Sequence, residues 1–223
     1  MARHFDDELN DLKKKLTESA NTVRSMIRKS VDALKERKDK LAKEVFSSED
    51  KINMAQIYID DDALKLIALR QPAASDLRLI VSIMKINSEL ERMGDLAVNT
   101  AKRAIELMKE PLLKPLIDLP RMADISQKML EDAINSFMNK DSGLARNVCM
   151  RDDEVDDLND QIFRELITYM LQDPHNINRA LKLILISRYL ERIADHATNI
   201  AEDVYYMTKG KDIRHHIDNN KKC

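Results

Sequence analysis

The sixteen residues from Ile86 to Ala101 return one hundred positions later, from Ile186 to Ala201, with eight identities: Ile, Leu, Glu, Arg, Asp, Ala, Asn and Ala. Chance at this composition gives about one match in such a window. A second echo sets Leu41-Ala42, Val45 and Asp50 against Leu144-Ala145, Val148 and Asp153, now offset by 103. The change of offset fits an altered turn between the first two helices of each half. A chain built this way folds as two copies of one unit.

The prolines say what that unit is. Pro72 and Pro174 each end a long stretch of helical periodicity and precede another, while Pro111, Pro115 and Pro120 cluster between the halves. Proline cannot continue a helix, so helices are expected over 5–37, 40–71, 74–110, 119–139, 142–172 and 176–209, with Ser47-Ser48 a candidate break in the second. The expected architecture is all-α: two tandem homologous three-helix bundles made of six long helices. The first bundle takes residues 1–110, a proline-containing linker 111–118, the second bundle 119–209 and a polar tail 210–223. Three glycines, 4% aromatics and no Trp leave little material for β-turns or a phosphate-binding glycine loop.

Charge excludes further classes. Thirty-seven basic against 39 acidic side chains give a formal net charge of −2, so nucleic-acid binding by bulk charge is not expected. No apolar run approaches the roughly 20 residues needed to span a bilayer, and the N-terminal stretch lacks the apolar core of a secretory signal. A soluble cytoplasmic protein is expected, with Cys149 and Cys223 as reduced thiols.

A helix turns about 100° per residue, which assigns faces. Leu79, Ile83, Ile86, Leu90, Ala97, Ala101 and Ala104 form one stripe of the third helix; Leu183, Ile186, Leu190, Ala197, Ala201 and Val204 form that of the sixth. These are core positions. Glu91 with Asp95, and Glu191 with Asp195, lie well away from the stripe, on a face that also carries Leu77, Ile80 and Met84 in the third helix. The second helix mirrors this with Asp50, Asn53, Ile57, Leu64 and Ile67, and the fifth with Asp153, Asp156 and Asp160 followed by Phe163, Ile167 and Met170.

Helices joined by a short turn run antiparallel, so residues equidistant from the turn become neighbours. One groove is expected to gather Asp153, Asp156, Asp160, Glu191 and Asp195; the other gathers Asp50, Asn53, Glu91 and Asp95, with Asp60 nearer the turn. Carboxylates brought together repel unless positive charge joins them. Arg92 and Arg192, about 100° round the helix, offer salt-bridge partners. The alternative is a cation held by oxygens of both helices, a donor set suited to Mg, Ca, Mn or Fe. His196 is expected at a surface or interface rather than as a ligand, and His215-His216 in solvent.

Asp50-Lys51-Ile52-Asn53, the run from Leu69 through Arg70-Gln71-Pro72-Ala73-Ala74-Ser75-Asp76-Leu77-Arg78, and Leu90-Glu91-Arg92-Met93-Gly94-Asp95 resemble the PhoU family. So does Leu190-Glu191-Arg192-Ile193-Ala194-Asp195-His196-Ala197-Thr198-Asn199-Ile200-Ala201-Glu202, and the likeness spans nearly the whole chain. The resemblance implies a non-enzymatic cytoplasmic negative regulator of phosphate uptake and of the phosphate-starvation regulon. The implied partners are the ATPase subunit of the phosphate ABC transporter, the phosphate-sensing membrane histidine kinase and a second copy of the chain. Nucleic acid is not among them, and membrane association would run only through those partners. It also implies clusters of divalent or trivalent metal (Fe, Mn, Zn or Mg) on Glu91 with Asp95 and Glu191 with Asp195. Where the second half has Asp156 and Asp160, the first has Asn53 and Ile57, so the first site is expected to hold metal less tightly.

Two other functions are set against this one. A ferritin-like di-iron oxidase needs a pair of Glu-x-x-His motifs, and no Glu here has a His three residues later. A metal-free adaptor would instead receive basic segments of a partner in the acidic grooves.

Overall fold

The structure, a computed structural model, describes residues 2–211, with side chains from Phe5 onward. Six helices follow in order: α1 (Ala2–Glu36), α2 (Asp39–Arg70), α3 (Ala74–Met108), α4 (Asp118–Asn139), α5 (Ser142–Gln172) and α6 (Ile177–Lys209). No strand occurs among the described residues. The tail residues 212–223, with His215, His216 and Cys223, lie outside them.

The stops are local chemistry. After Arg70, Gln71 takes a left-handed conformation (φ 47°, ψ 59°) and its N–H closes on the Ile67 carbonyl before Pro72 ends the helix. In the second half the Asp173 carboxylate accepts the His175 N–H, and Pro174 opens the short 3-10 turn Pro174–Asn176. The Asp141 carboxylate caps α5 by accepting the N–H groups of Gly143 and Leu144. The helix ends fall within three residues of expectation, and two differences have a plain local cause. The α2 helix runs unbroken through Ser47 and Ser48, whose hydroxyls return their bonds to the Glu44 carbonyl. Asp118 already begins α4, because Pro120 falls in its first turn, where proline forfeits no helical hydrogen bond.

Within each half all three helices pack on one another, and the halves join through α3 against α6 and α1 against α4. Both junctions are antiparallel. Lys85 bonds Asp203 at 2.8 Å near one end of α3 and Lys182 approaches Glu106 at 3.8 Å near the other, while Arg24 pairs with Glu131 at 3.3 Å across α1 and α4. The repeats are thus related by an approximate two-fold axis. Both expected stripes are buried throughout, from Leu79 to Ala104 and from Leu183 to Val204, and their alanines let the backbones approach closely. Ile80, at the apolar end of the face that carries Glu91 and Asp95, is fully buried. Cys149 is buried and disulfide-bonded, which overturns the expectation of a reduced thiol there.

Candidate metal centre in the paired helices

One polar side chain, hydrogen-bonded across the helices, sets the register of each hairpin. In the first, the Asn87 amide donates to the Gln56 carbonyl and to Asp60 Oδ1, both at 3.0 Å. In the second, Ser187, which occupies the position of Asn87, donates to Asn159 Oδ1 at 2.8 Å. These bonds place the acid-bearing turns of α5 and α6 side by side, one turn further from the loop.

In that groove the structure brings together Asp156, Glu191 and Asp195. Burial first, then the negative charges of Asp195 and Asp156, push the Glu191 carboxyl above its ordinary range; Arg188 and Arg192 offset part of this. Asp195 is raised in the same way, by burial and then by Asp156, with His196 and Arg192 acting against it. Glu191 Oε2 is shut off from solvent and has no hydrogen-bond partner among the described residues. A buried oxygen that lacks a donor costs free energy. Asp153 and Asp160 flank the trio a turn to either side and are exposed, Asp160 standing 3.8 Å from Arg164.

The first groove is the weaker copy. Burial, then Asp95, raises the Glu91 carboxyl, but Asp95 and Asp50 are exposed and Asn53 is half-buried. The level is right: a Cβ on Gly94 would meet Ile52 Cγ2 at 3.5 Å, so Asn53 and Asp95 face the same stretch of groove. Asp60 is held by Asn87, away from Glu91.

The donor chemistry suits a hard cation. The second groove offers crowded carboxylate oxygens, one of them orphaned, from two rigid helices. Among the described residues no three His, Cys, Asp or Glu already stand at metal-holding spacing.

Arg92 acts on Glu91 through its charge, which offsets part of the rise, but makes its ion pair elsewhere. It reaches back to Glu89 at 3.8 Å, because residues three apart lie on one helix face. Glu89 is the carboxylate that face arithmetic missed. Its Oε2 lies 2.5 Å from His196 Nδ1 and accepts from the Asn199 amide at 3.3 Å, joining the repeats. Burial opposes its charge, but the bonds from His196 and Asn199 prevail and hold its carboxyl below the usual range. His196 is therefore an interface residue, as expected. The available signal was the asymmetry at this position, with Leu96 in the first half and His196 in the second.

With the geometry in hand, comparison with known proteins is informative. The family model of the PhoU domain matches residues 16–104 and again 119–204. A phosphate-specific transport system accessory protein PhoU homolog of Aquifex aeolicus is 44% identical over 208 residues, covering 93% of this chain and 94% of that one. One from Pseudomonas aeruginosa is 40% identical over 216 residues, covering 96% and 89%. The crystal structure of Pseudomonas aeruginosa PhoU superposes with a TM-score of 0.89 at 40% identity, over 93% of this chain and all of that one. That of the phosphate transport system regulatory protein PhoU from Streptococcus pneumoniae gives 0.85 at 29%, over 93% and 98%. With both repeats matched in order and along almost their whole length, the chain belongs to the PhoU family.

Proposed function

We propose that this chain is a non-enzymatic accessory protein of a phosphate-specific transport system, acting by binding other proteins. The observation that carries the reading is the match of both repeats to the PhoU domain, together with relatives named for that system over nearly the full chain. In the finer form of the proposal it is a cytoplasmic negative regulator of phosphate uptake and of the phosphate-starvation regulon. It docks on the transporter's ATPase subunit and on the sensor histidine kinase, as a homodimer.

The acidic grooves would tune that docking. Glu191, Asp195 and Asp156, with Asp153 and Asp160 swung inward, are the residues that would hold a metal in the second repeat; Glu91, Asp95, Asp50 and Asn53 form the poorer set in the first. A bound cation would neutralise carboxylates that now repel and so tie α5 to α6. This favours one helix arrangement and, by differential affinity, one set of partners.

Capture on immobilised ATPase subunit, with Mn²⁺ or with EDTA, tests the reading. Wild-type protein is expected to bind in Mn²⁺, and both EDTA and the Glu191→Ala/Asp195→Ala double variant are expected to weaken capture about tenfold or more. Capture unaltered by either change removes metal from the mechanism and leaves a metal-free adaptor. No capture of the wild type removes the proposed ATPase contact.

A further inference from the structure

The six threonines of this chain all lie on helices, and five of them use their hydroxyls in the same way. Thr17, Thr22, Thr100 and Thr208 donate to the carbonyl four residues back, at 2.9, 2.9, 2.9 and 2.8 Å. Thr168 donates to the carbonyl three residues back at 2.7 Å. This back-bond is the ordinary outcome for a helical threonine, because it satisfies the hydroxyl without help from another element. Thr198 is the exception. Its Oγ1 is shut off from solvent and has no hydrogen-bond partner among the described residues. A hydroxyl that forgoes a carbonyl of its own helix and is then left buried marks a place for an ion or a water.

The position says which. Thr198 lies one turn beyond Asp195 and two beyond Glu191 on α6. At about 100° per residue it stands about 20° round the helix from Glu191 and about 60° from Asp195, so all three share one face. Glu191 Oε2 is the other buried oxygen of α6 without a partner among the described residues, and Asp195 lies between the two.

Repetition supplies a control. The offset of one hundred sets Glu91, Asp95 and Val98 against Glu191, Asp195 and Thr198. Val98 is 1% exposed, so the first repeat packs this position with a methyl where the second has its hydroxyl. Packing therefore does not require the oxygen. It occurs in the repeat that carries Asp156 and Asp160 where the other has Asn53 and Ile57.

We infer that Thr198 belongs to the metal centre of the second repeat, its Oγ1 supplying a neutral oxygen to a hard cation held by Glu191 and Asp195. A hydroxyl beside an aspartate is an established oxygen pair for Mg²⁺, as in the phosphate-binding loops of nucleotide hydrolases. A hydroxyl proton rotates freely, so a lone pair can turn to the cation. The neutral oxygen adds a ligand without adding charge to carboxylates that already repel one another. The assignment rests on the reading of the second groove as a metal centre and names a further residue of it.

The test uses the full-length chain carrying Glu91→Ala/Asp95→Ala, so that only the second repeat takes up metal. Mn²⁺ is titrated in, with the free ion read by electron paramagnetic resonance, and metal-free stability is read by urea unfolding in EDTA. Thr198→Val, which installs the first repeat's own residue, is expected to weaken Mn²⁺ binding about tenfold. It should leave metal-free stability equal or higher, because it removes a hydroxyl that has no partner. Thr198→Ser keeps the oxygen and is expected to bind within about threefold of the parent. Thr198→Val that binds Mn²⁺ as tightly as the parent overturns the inference, as does Thr198→Ser that binds no better than Thr198→Val. Loss of metal-free stability in Thr198→Val also overturns it, assigning the hydroxyl to a structural water. If the parent takes up no Mn²⁺, the metal centre itself falls and Thr198's part in it too. Binding by the parent that ignores Thr198→Val removes only the role of Thr198, so the two failures are told apart.

Discussion

Glu191 stands at the point where helix geometry and electrostatics conflict. Its raised carboxyl pKa has a definite thermodynamic sign. An acid that binds its proton more tightly in the folded than in the unfolded state supports folding at low pH. That support disappears as pH rises through the folded value. Metal-free protein should therefore lose stability on going from weakly acid to neutral solution, through the window above the ordinary glutamate value. Glu191→Gln should flatten that slope and stabilise the metal-free protein at neutral pH by about 0.5 kcal/mol, a modest figure because the groove is open to screening. Urea unfolding at several pH values in EDTA reads this directly. Gly94 gives a second test at this scale. A Cβ there would meet Ile52 Cγ2 at 3.5 Å and Met26 Cε at 3.8 Å, ordinary contact distances, and the second repeat already carries Ala194. Gly94→Ala should raise stability by about 0.5–1 kcal/mol through helix propensity, seen as a higher midpoint of urea unfolding.

Among the elements, the linker is the least regular and the most anchored. Lys114 is buried there, its ammonium shared between Asp118 at 3.3 Å and Glu165. Arg37, itself in a left-handed conformation after α1, donates to the carbonyls of Met108 at 2.5 Å and Glu110 at 3.0 Å. Arg179 donates to the Pro111 carbonyl at 3.2 Å. These cations satisfy carbonyls that the end of α3 leaves unpaired. Removing the lysine would leave two carboxylates facing each other without it. Lys114→Ala should cost about 2 kcal/mol in denaturant unfolding, below the range for a wholly buried pair because Glu165 is partly exposed. None of these contacts was legible beforehand. The prolines announced a linker, but a lone Lys in a loop reads as solvated until another helix is brought beside it.

At the scale of the whole molecule, the two-fold packing of α1 on α4 and α3 on α6 makes each repeat part of the other's support. The Glu89–His196 and Lys85–Asp203 contacts lie on that seam, together with apolar residues such as Leu96. A separately expressed first repeat, residues 1–110, would expose this seam. It is expected to self-associate or to bind a hydrophobic dye, whereas the full chain unfolds in a single transition. Sedimentation of the fragment, and coincidence of two spectroscopic probes for the full chain, provide the check.

Helical class, six-helix layout, duplication and family were all legible in the amino-acid order, because periodicity, breakers and repeats are properties of neighbours along the chain. The core stripes from Leu79 to Ala104 and from Leu183 to Val204 followed from turning angle alone. So did the meeting of Asp156 with Glu191 and Asp195, once antiparallel hairpins were assumed. Solvation was decided elsewhere. That Glu191 Oε2 is orphaned, that Asp60 is claimed by Asn87 and that Glu89 meets His196 all depend on distances between helices. Burial and electrostatic coupling are set by what stands opposite a side chain, and only the packed molecule supplies that.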